Sequence, residues 1–188
     1  MLGVADRLVT VEDYRELPEG PPYYQLIEGR LLVSPSPNRY HQDVCQNLLV
    51  LLRNYLDRNP VGVVYQSPSD VYLTSYDAYQ PDLYFVSNAN AAILSPQGAA
   101  GAPDLVIEVL SPGTAHYDRD LKRKVYAQAG VKELWLVDPD AKQIQVLQLN
   151  PPSDKALVVH GASASFATDL LPGLVISAAQ TFKPSRLG

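Results

Sequence analysis

The run Leu105-Val106-Ile107-Glu108-Val109-Leu110 constrains this chain most. All but one of its residues are apolar, and several are β-branched. Pro103-Asp104 precedes it and Ser111-Pro112-Gly113 ends it. Such a run suits a central strand buried on both faces. Glu108 is the exception, and a carboxylate there costs several kcal/mol unless it is paired or bound to a metal. Strand alternation puts Val106, Glu108 and Leu110 on one face and Leu105, Ile107 and Val109 on the other. Glu108 therefore either finds a buried partner or faces a cleft near the strand's end.

Helical and strand periods alternate around this run. Val11–Leu17 reads as a short helix capped by Thr10, with Asp13 at its third position. Tyr23–Ile27 and Arg30–Ser34 read as strands joined by a tight turn at Glu28-Gly29. His41, Val44, Leu48, Leu52 and Tyr55 or Leu56 recur at helical spacing in a helix from Tyr40 to about Arg58. Strands follow at Val63–Gln66, Asp70–Leu73 and Asp82–Val86, with a loop that has room for one helical turn over Asn88–Gly101. Thr114–Ala129 is a second helix closed by Gly130. Glu133–Val137 and Gln143–Leu149 read as a hairpin. Ala156–Val159 and Leu174–Ile176 read as short edge strands, and Phe182–Gly188 as a frayed tail. The tripeptide Pro-Asp-Leu occurs at 81–83 and 103–105, each time opening an apolar strand. The sum is a mixed α/β chain. At 188 residues it has the size of one domain, 1–188.

Two acids stand beside apolar strands, Asp82 before Leu83-Tyr84-Phe85-Val86 and Glu108 within its own. If these strands are neighbours, both carboxylates reach one divalent ion. Two carboxylates, a backbone carbonyl and waters suit Mg²⁺ or Mn²⁺. The plainer alternative makes Asp82 a turn cap and pairs Glu108 with Arg119 or Arg30. On the helix after Glu108, Asp118, Lys122 and Tyr126 share one face. They are either an exposed ion pair beside a half-buried tyrosine or a lysine held over the acids, where it stabilises charge on a phosphate. Lys124 is a second candidate but points about 200° away from Lys122. Glu28 is either a solvated turn residue or a third acid, and His41 either a structural histidine or a supporting one.

The formal net charge of -5 speaks against a protein that coats nucleic acid, though not against a nuclease whose acids hold cations. Cys45, the single cysteine, reads as a buried small hydrophobe. Three histidines (41, 116 and 160) without a Cys/His cluster make zinc unexpected. No GxGxxG, Walker A or GxSxG element is present, which removes dinucleotide, P-loop and α/β-hydrolase readings. No run approaches ~18 apolar residues, and Met1–Thr10 has no apolar leader core. A cytoplasmic protein without a membrane span is the expectation.

YYQLIEGRLLVSPSP, His41 in its helix, SPSDVYL, QPDLYFVS, GAPDLVIEVLSPGT, DRDLKRKVYAQAGV and KELWLVDP follow one another over most of residues 20–140. Together they resemble the Uma2 family of restriction endonucleases, within the PD-(D/E)XK nuclease superfamily. The resemblance implies a restriction-endonuclease-like mixed sheet flanked by helices. It likens Asp82 to the superfamily's metal-binding aspartate, Glu108 to the acid of the second half-motif, and Glu28 to the acid from the N-terminal part. The superfamily's usual lysine falls two residues after that acid, where this chain has Leu110. In Uma2-like chains it is expected on the following helix, at Lys122.

The implied activity is Mg²⁺- or Mn²⁺-dependent hydrolysis of DNA. Asp82, Glu108 and Glu28 hold the metal, Lys122 offsets charge, Asp118 and Tyr126 support, and Gln80 places the Asp82 loop. A homodimer is expected, since superfamily relatives often dimerise and twelve tyrosines suit an interface. Two other readings stand beside this one. One is a nuclease-fold protein with weak or lost catalysis that binds nucleic acid. The other is a structural or oligomerisation protein whose charges are ion pairs.

Overall fold

A computed structural model of the chain describes residues 7–18, 20–34, 36–111, 115–151 and 157–185, with the side chains of 115–120 and 157 outside that description. Helix α1 spans Val11–Arg15, and Thr10 and Asp13 form the reciprocal capping box that the sequence predicts. Strands β1 (Tyr24–Ile27) and β2 (Arg30–Val33) follow as an antiparallel hairpin. Its turn residues Glu28 and Gly29 have φ of 48° and 74°, the left-handed pair that a tight hairpin turn demands. A Cβ on Gly29 would also stand 2.8 Å from that of Leu8, so glycine is required twice over.

Helix α2 (Arg39–Leu56) begins at Asn38, whose side chain accepts the His41 amide at 2.9 Å. Strands β3 (Gly62–Gln66), β4 (Asp70–Thr74), β5 (Asp77–Tyr79) and β6 (Leu83–Ser87) come next. The segment 88–101 holds the expected helical turn as a 3-10 turn (Asn88–Ile93), and in place of further loop it has two short strands, β7 (Leu94–Ser95) and β8 (Gly98–Ala100). Then come β9 (Leu105–Val109), helix α3 (Ala115–Ala129), β10 (Glu133–Asp138) and β11 (Gln143–Gln148). Strands β12 (Leu157–His160), β13 (Ser165–Ala167) and β14 (Val175–Ser177) and helix α4 (Ala178–Thr181) complete the described chain.

The main sheet has the order β12-β11-β10-β9-β6-β3, and β9 lies inside it as its apolar run predicts. It is mixed, with β9 parallel to β10 and antiparallel to β6. Its two faces divide as the alternation of β9 requires. Leu105, Ile107 and Val109 pack with the α2 stripe Val44, Leu48, Leu52 and Leu56. Val106 packs with Val125 and Tyr126 of α3. Fully buried leucines such as Leu48 and Leu52 each contribute roughly 1.5–3 kcal/mol by removal from water. The second sheet has the order β2-β1-β5-β4-β8-β7 and covers α1 through Leu26, Tyr72 and Ala78.

The two short C-terminal strands lie at sheet edges as expected, β12 at the rim of the main sheet and β14 paired with β13 in a separate two-stranded sheet, but the expectation for the tail needs correcting. The described part of the tail is not frayed. Phe182 is buried against the α2 side of the core, and Ser185 donates both its amide and its hydroxyl to Asp43. Residues 186–188 lie outside the description. Among the described residues no helix is long and apolar enough to cross a membrane.

Candidate active site

Strands β6 and β9 run antiparallel with Leu83 opposite Ile107. One further step of that register sets Asp82, just ahead of β6, against Glu108 near the end of β9. The two acids open into a cleft of about 530 Å³ whose lining also includes His41, Gln80, Lys122 and Tyr126. Helix α3 crosses this face of the sheet and delivers Lys122 and Tyr126, one turn apart, over Glu108.

Glu108 is buried and triply bonded. The Lys122 ammonium donates to both carboxylate oxygens at 3.2 Å, and the Tyr126 hydroxyl donates to Oε1 at 2.6 Å. The cation that meets Glu108 is therefore Lys122, while Arg30 is exposed on β2 and the Arg119 side chain lies outside the described part. Burial raises the Glu108 pKa. Lys122 opposes that shift and the Asp82 charge adds to it, so the net direction is upward. Burial and the Glu108 charge likewise hold Tyr126 far above its ordinary value, so its hydroxyl stays a donor.

Asp82 is less enclosed. Its Oδ2 accepts the Val109 amide at 2.7 Å and lies 3.4 Å from His41 Nε2. The same Nε2 is 2.9 Å from the Val109 carbonyl. Both neighbours are acceptors, so Nε2 carries a proton. Nδ1 faces the Cys45 thiol at 3.6 Å, one turn along α2. Burial alone lowers the His41 pKa, but the Asp82 carboxylate, the Val109 carbonyl and Glu108 outweigh it and the net is upward.

Two donor sets deserve comparison as metal ligands. His41, Cys45 and Asp82 cluster within 4.8 Å. However, burial and the Asp82 and Glu108 charges push the Cys45 thiol far up, so no thiolate is on offer. The His41 Nε2 lone pair is also taken by its proton. The carboxylates of Asp82 and Glu108 form the harder oxygen set, and it fits Mg²⁺ or Mn²⁺ better than a thiophilic ion.

The other expected residues fall as follows. Glu28 is exposed in the hairpin turn, its amide bonded to Asp77 Oδ1 at 3.0 Å, and it does not line the cleft. The left-handed turn carries it past the end of β1, and that strand's contribution to the cleft is Gln25. This corrects the expectation that Glu28 stands with the other two acids. Gln80 lines the cleft. Its side chain donates to Asp70 at 2.8 Å and its amide donates to Gln25 Oε1 at 3.3 Å, which ties the Asp82 loop to β4 and β1. Lys124 is exposed, so only Lys122 of the two faces inward. The Asp118 side chain lies outside the described residues. The sequence reading missed Gln25, whereas Cys45 is buried in the core as expected. Only the polar position in an otherwise apolar β1 hinted at Gln25.

Comparison with known proteins agrees with this geometry. The family model Uma2, described as "Putative restriction endonuclease", matches residues 11–179. Among solved structures, a "putative nuclease belonging to DUF820" from Anabaena variabilis is similar, with a TM-score of 0.78 and 19% identity. The match covers 93% of this chain and 97% of that one, and at this identity it shows the fold. No curated protein matches. Family and fold together support a nuclease. The chain belongs to the Uma2 family.

Proposed function

We propose that this protein is a divalent-metal-dependent endonuclease that hydrolyses DNA phosphodiester bonds. One observation carries the reading: two carboxylates from adjacent strands and a lysine from the crossing helix meet in one cleft. Asp82 and Glu108 would hold Mg²⁺ or Mn²⁺, which supplies a Lewis acid for the phosphate and a more acidic bound water.

The chain's own groups do the rest. The Val109 amide and His41 orient Asp82 so that its other oxygen is turned to the cleft. Tyr126 fixes the Glu108 carboxylate from within the core. Lys122 balances Glu108 in the resting protein, and its ammonium is within reach to offset charge on a phosphate that enters. Gln80 holds the Asp82 loop to the second sheet.

The test is a cleavage assay on DNA in Mg²⁺ and in Mn²⁺, comparing wild type with Glu108→Ala. Metal-dependent cutting by the wild type and none by the variant is expected. Equal cutting by both would remove Glu108 from the reaction, and with it this reading.

A further inference from the structure

Above its acidic floor the cleft is walled by uncharged hydrogen-bonding groups. Among its described lining residues the charged side chains are Asp82, Glu108 and Lys122, with His41 as the one imidazole. Among the described lining residues there is no arginine, and the one lysine is engaged by both oxygens of Glu108. In place of cations the wall carries five carboxamides: Gln25, Asn38, Gln42, Gln66 and Gln80. Three of these are used by the fold. Asn38 caps α2, Gln25 donates to Ser34, and Gln80 donates to Asp70. Gln42 on α2 and Gln66 at the end of β3 are exposed, and their side-chain carboxamides have no partner among the described residues. Tyr23, also in the lining, is 43% exposed.

This surface suits bases better than backbone. Duplex binding is driven by lysines and arginines that neutralise several phosphates, and among the described lining residues two acids outnumber one committed lysine. Free glutamine amides offer a paired donor and acceptor, the pattern that reads a base edge. A tyrosine ring offers a stacking face for a base that has left its own stack. The cleft volume of about 530 Å³ falls in the roughly 300–1,000 Å³ range that encloses a small ligand. That is the scale of a nucleotide rather than of a helical turn.

We propose that the cleft takes single-stranded DNA, one unpaired nucleotide seated above Asp82 and Glu108, with Tyr23 as its stacking face and Gln42 and Gln66 as base-edge contacts. The proposal rests on the nuclease reading of the acidic pair and narrows its substrate.

Fluorescence anisotropy in Ca²⁺, which takes the same hard oxygen donors, tests it. The probes are a labelled single strand of mixed sequence and the same sequence as a blunt duplex. The strand is expected to bind at least ~10-fold tighter, and to lose only about 3- to 7-fold between ~50 and ~200 mM salt because few phosphates are neutralised. Tyr23→Ala should weaken strand binding by about 5- to 150-fold, the range for one stacked base. Gln66→Ala should weaken it by a smaller factor. Both side chains are exposed, so folding is not at stake. Equal or tighter duplex binding, binding of neither probe, or wild-type affinity in both variants overturns the proposal. Metal-dependent cutting of duplex at wild-type rate by Tyr23→Ala would keep the nuclease and discard the strand preference. Strand binding with no cutting in Mg²⁺ or Mn²⁺ would keep the strand-binding cleft and discard the nuclease.

Discussion

The Glu108–Lys122 pair should be a liability to stability that the fold tolerates, and removing one half should cost far more than removing both. Both side chains are buried and their charges stand 3.2 Å apart. At an effective dielectric near 20, attraction at that distance is about 5 kcal/mol, against several kcal/mol to strip water from each ion. Lys122→Met leaves Glu108 uncompensated, and Glu108→Gln does the same to Lys122, each at about 3–5 kcal/mol. At roughly 2–4 °C per kcal/mol for a domain of this size, either single variant should melt ~6–20 °C below wild type. The double variant Glu108→Gln/Lys122→Met should lie within ~1 kcal/mol of wild type or above it. All three should lose cleavage.

The pH dependence gives a sharper check. The folded-state pKa of Glu108 is raised, and Lys122 is the strongest influence holding it down. Its loss in Lys122→Met must raise it further. An acid with a raised folded pKa binds more protons folded than unfolded, so stability falls as pH rises from the unfolded carboxylate value through the folded one. The Lys122→Met penalty should therefore be small near pH ~4 and full by about pH 8. Circular-dichroism melts across that range measure it. A penalty that shrinks as pH rises, or a double variant as unstable as the two singles summed, would refute the buried-pair argument.

Other outcomes follow from neighbouring groups. Burial raises the pKa of Glu133, bonded to Trp135 at 2.6 Å and Thr168 at 2.9 Å, so its charge opposes folding increasingly as pH climbs through that value. Glu133→Gln should raise the melting point by ~2–4 °C at neutral pH and have almost no effect near pH ~4. His41→Ala removes the donor shared by Asp82 and the Val109 carbonyl. Calorimetric titration with Mn²⁺ should show affinity reduced about 10- to 100-fold, and unchanged affinity would take His41 out of the site. Asp82→Asn keeps an acceptor for the Val109 amide and should fold nearly as well while cutting nothing. Asp104→Asn should cut normally yet lose about 1–3 kcal/mol, because its bond to Lys132 at 2.5 Å loses its charge.

What could be read beforehand follows the length of the signal. Strand β9, helix α3 and the α2 stripe carry enough periodic residues to declare themselves, and with them Glu108, Lys122 and Tyr126. Strands β5, β7 and β8 span two or three residues each, and Gly98-Ala99-Ala100 has no side chains large enough to show a period. They exist because β4 and the hairpin β1–β2 offer open edges to pair with, a tertiary cause no local pattern records. The Glu28 error has a similar origin. The tight turn at Glu28-Gly29 was legible, but which side chain of β1 meets the distant Asp82 loop depends on how the hairpin packs across the sheets.

The repeated Pro-Asp-Leu shows why residue identity alone could not locate the site. Because β6 and β9 are antiparallel, the two copies end at opposite ends of the strand pair in matching positions. Asp82 accepts the amide of Val109 at the end of β9, and Asp104 accepts the amide of Ser87 at the end of β6, each at 2.7 Å. The local job is the same: capping the neighbouring strand. The surroundings decide the rest. At the Asp104 end, Lys132 bonds the carboxylate directly, Asn90 adds a donor, and the group is 1% exposed. Burial would raise its pKa, but Lys132 and Ser87 more than reverse this, so it stays an ion already paired. At the Asp82 end, among the described residues, the lysine of the cleft bonds Glu108, the imidazole covers one oxygen, and the carboxylate is 21% exposed. One aspartate is neutralised within the fold, while the other is left with charge facing open space beside a second acid. Under the proposed reading it is that exposed charge, rather than the motif, that would meet a cation.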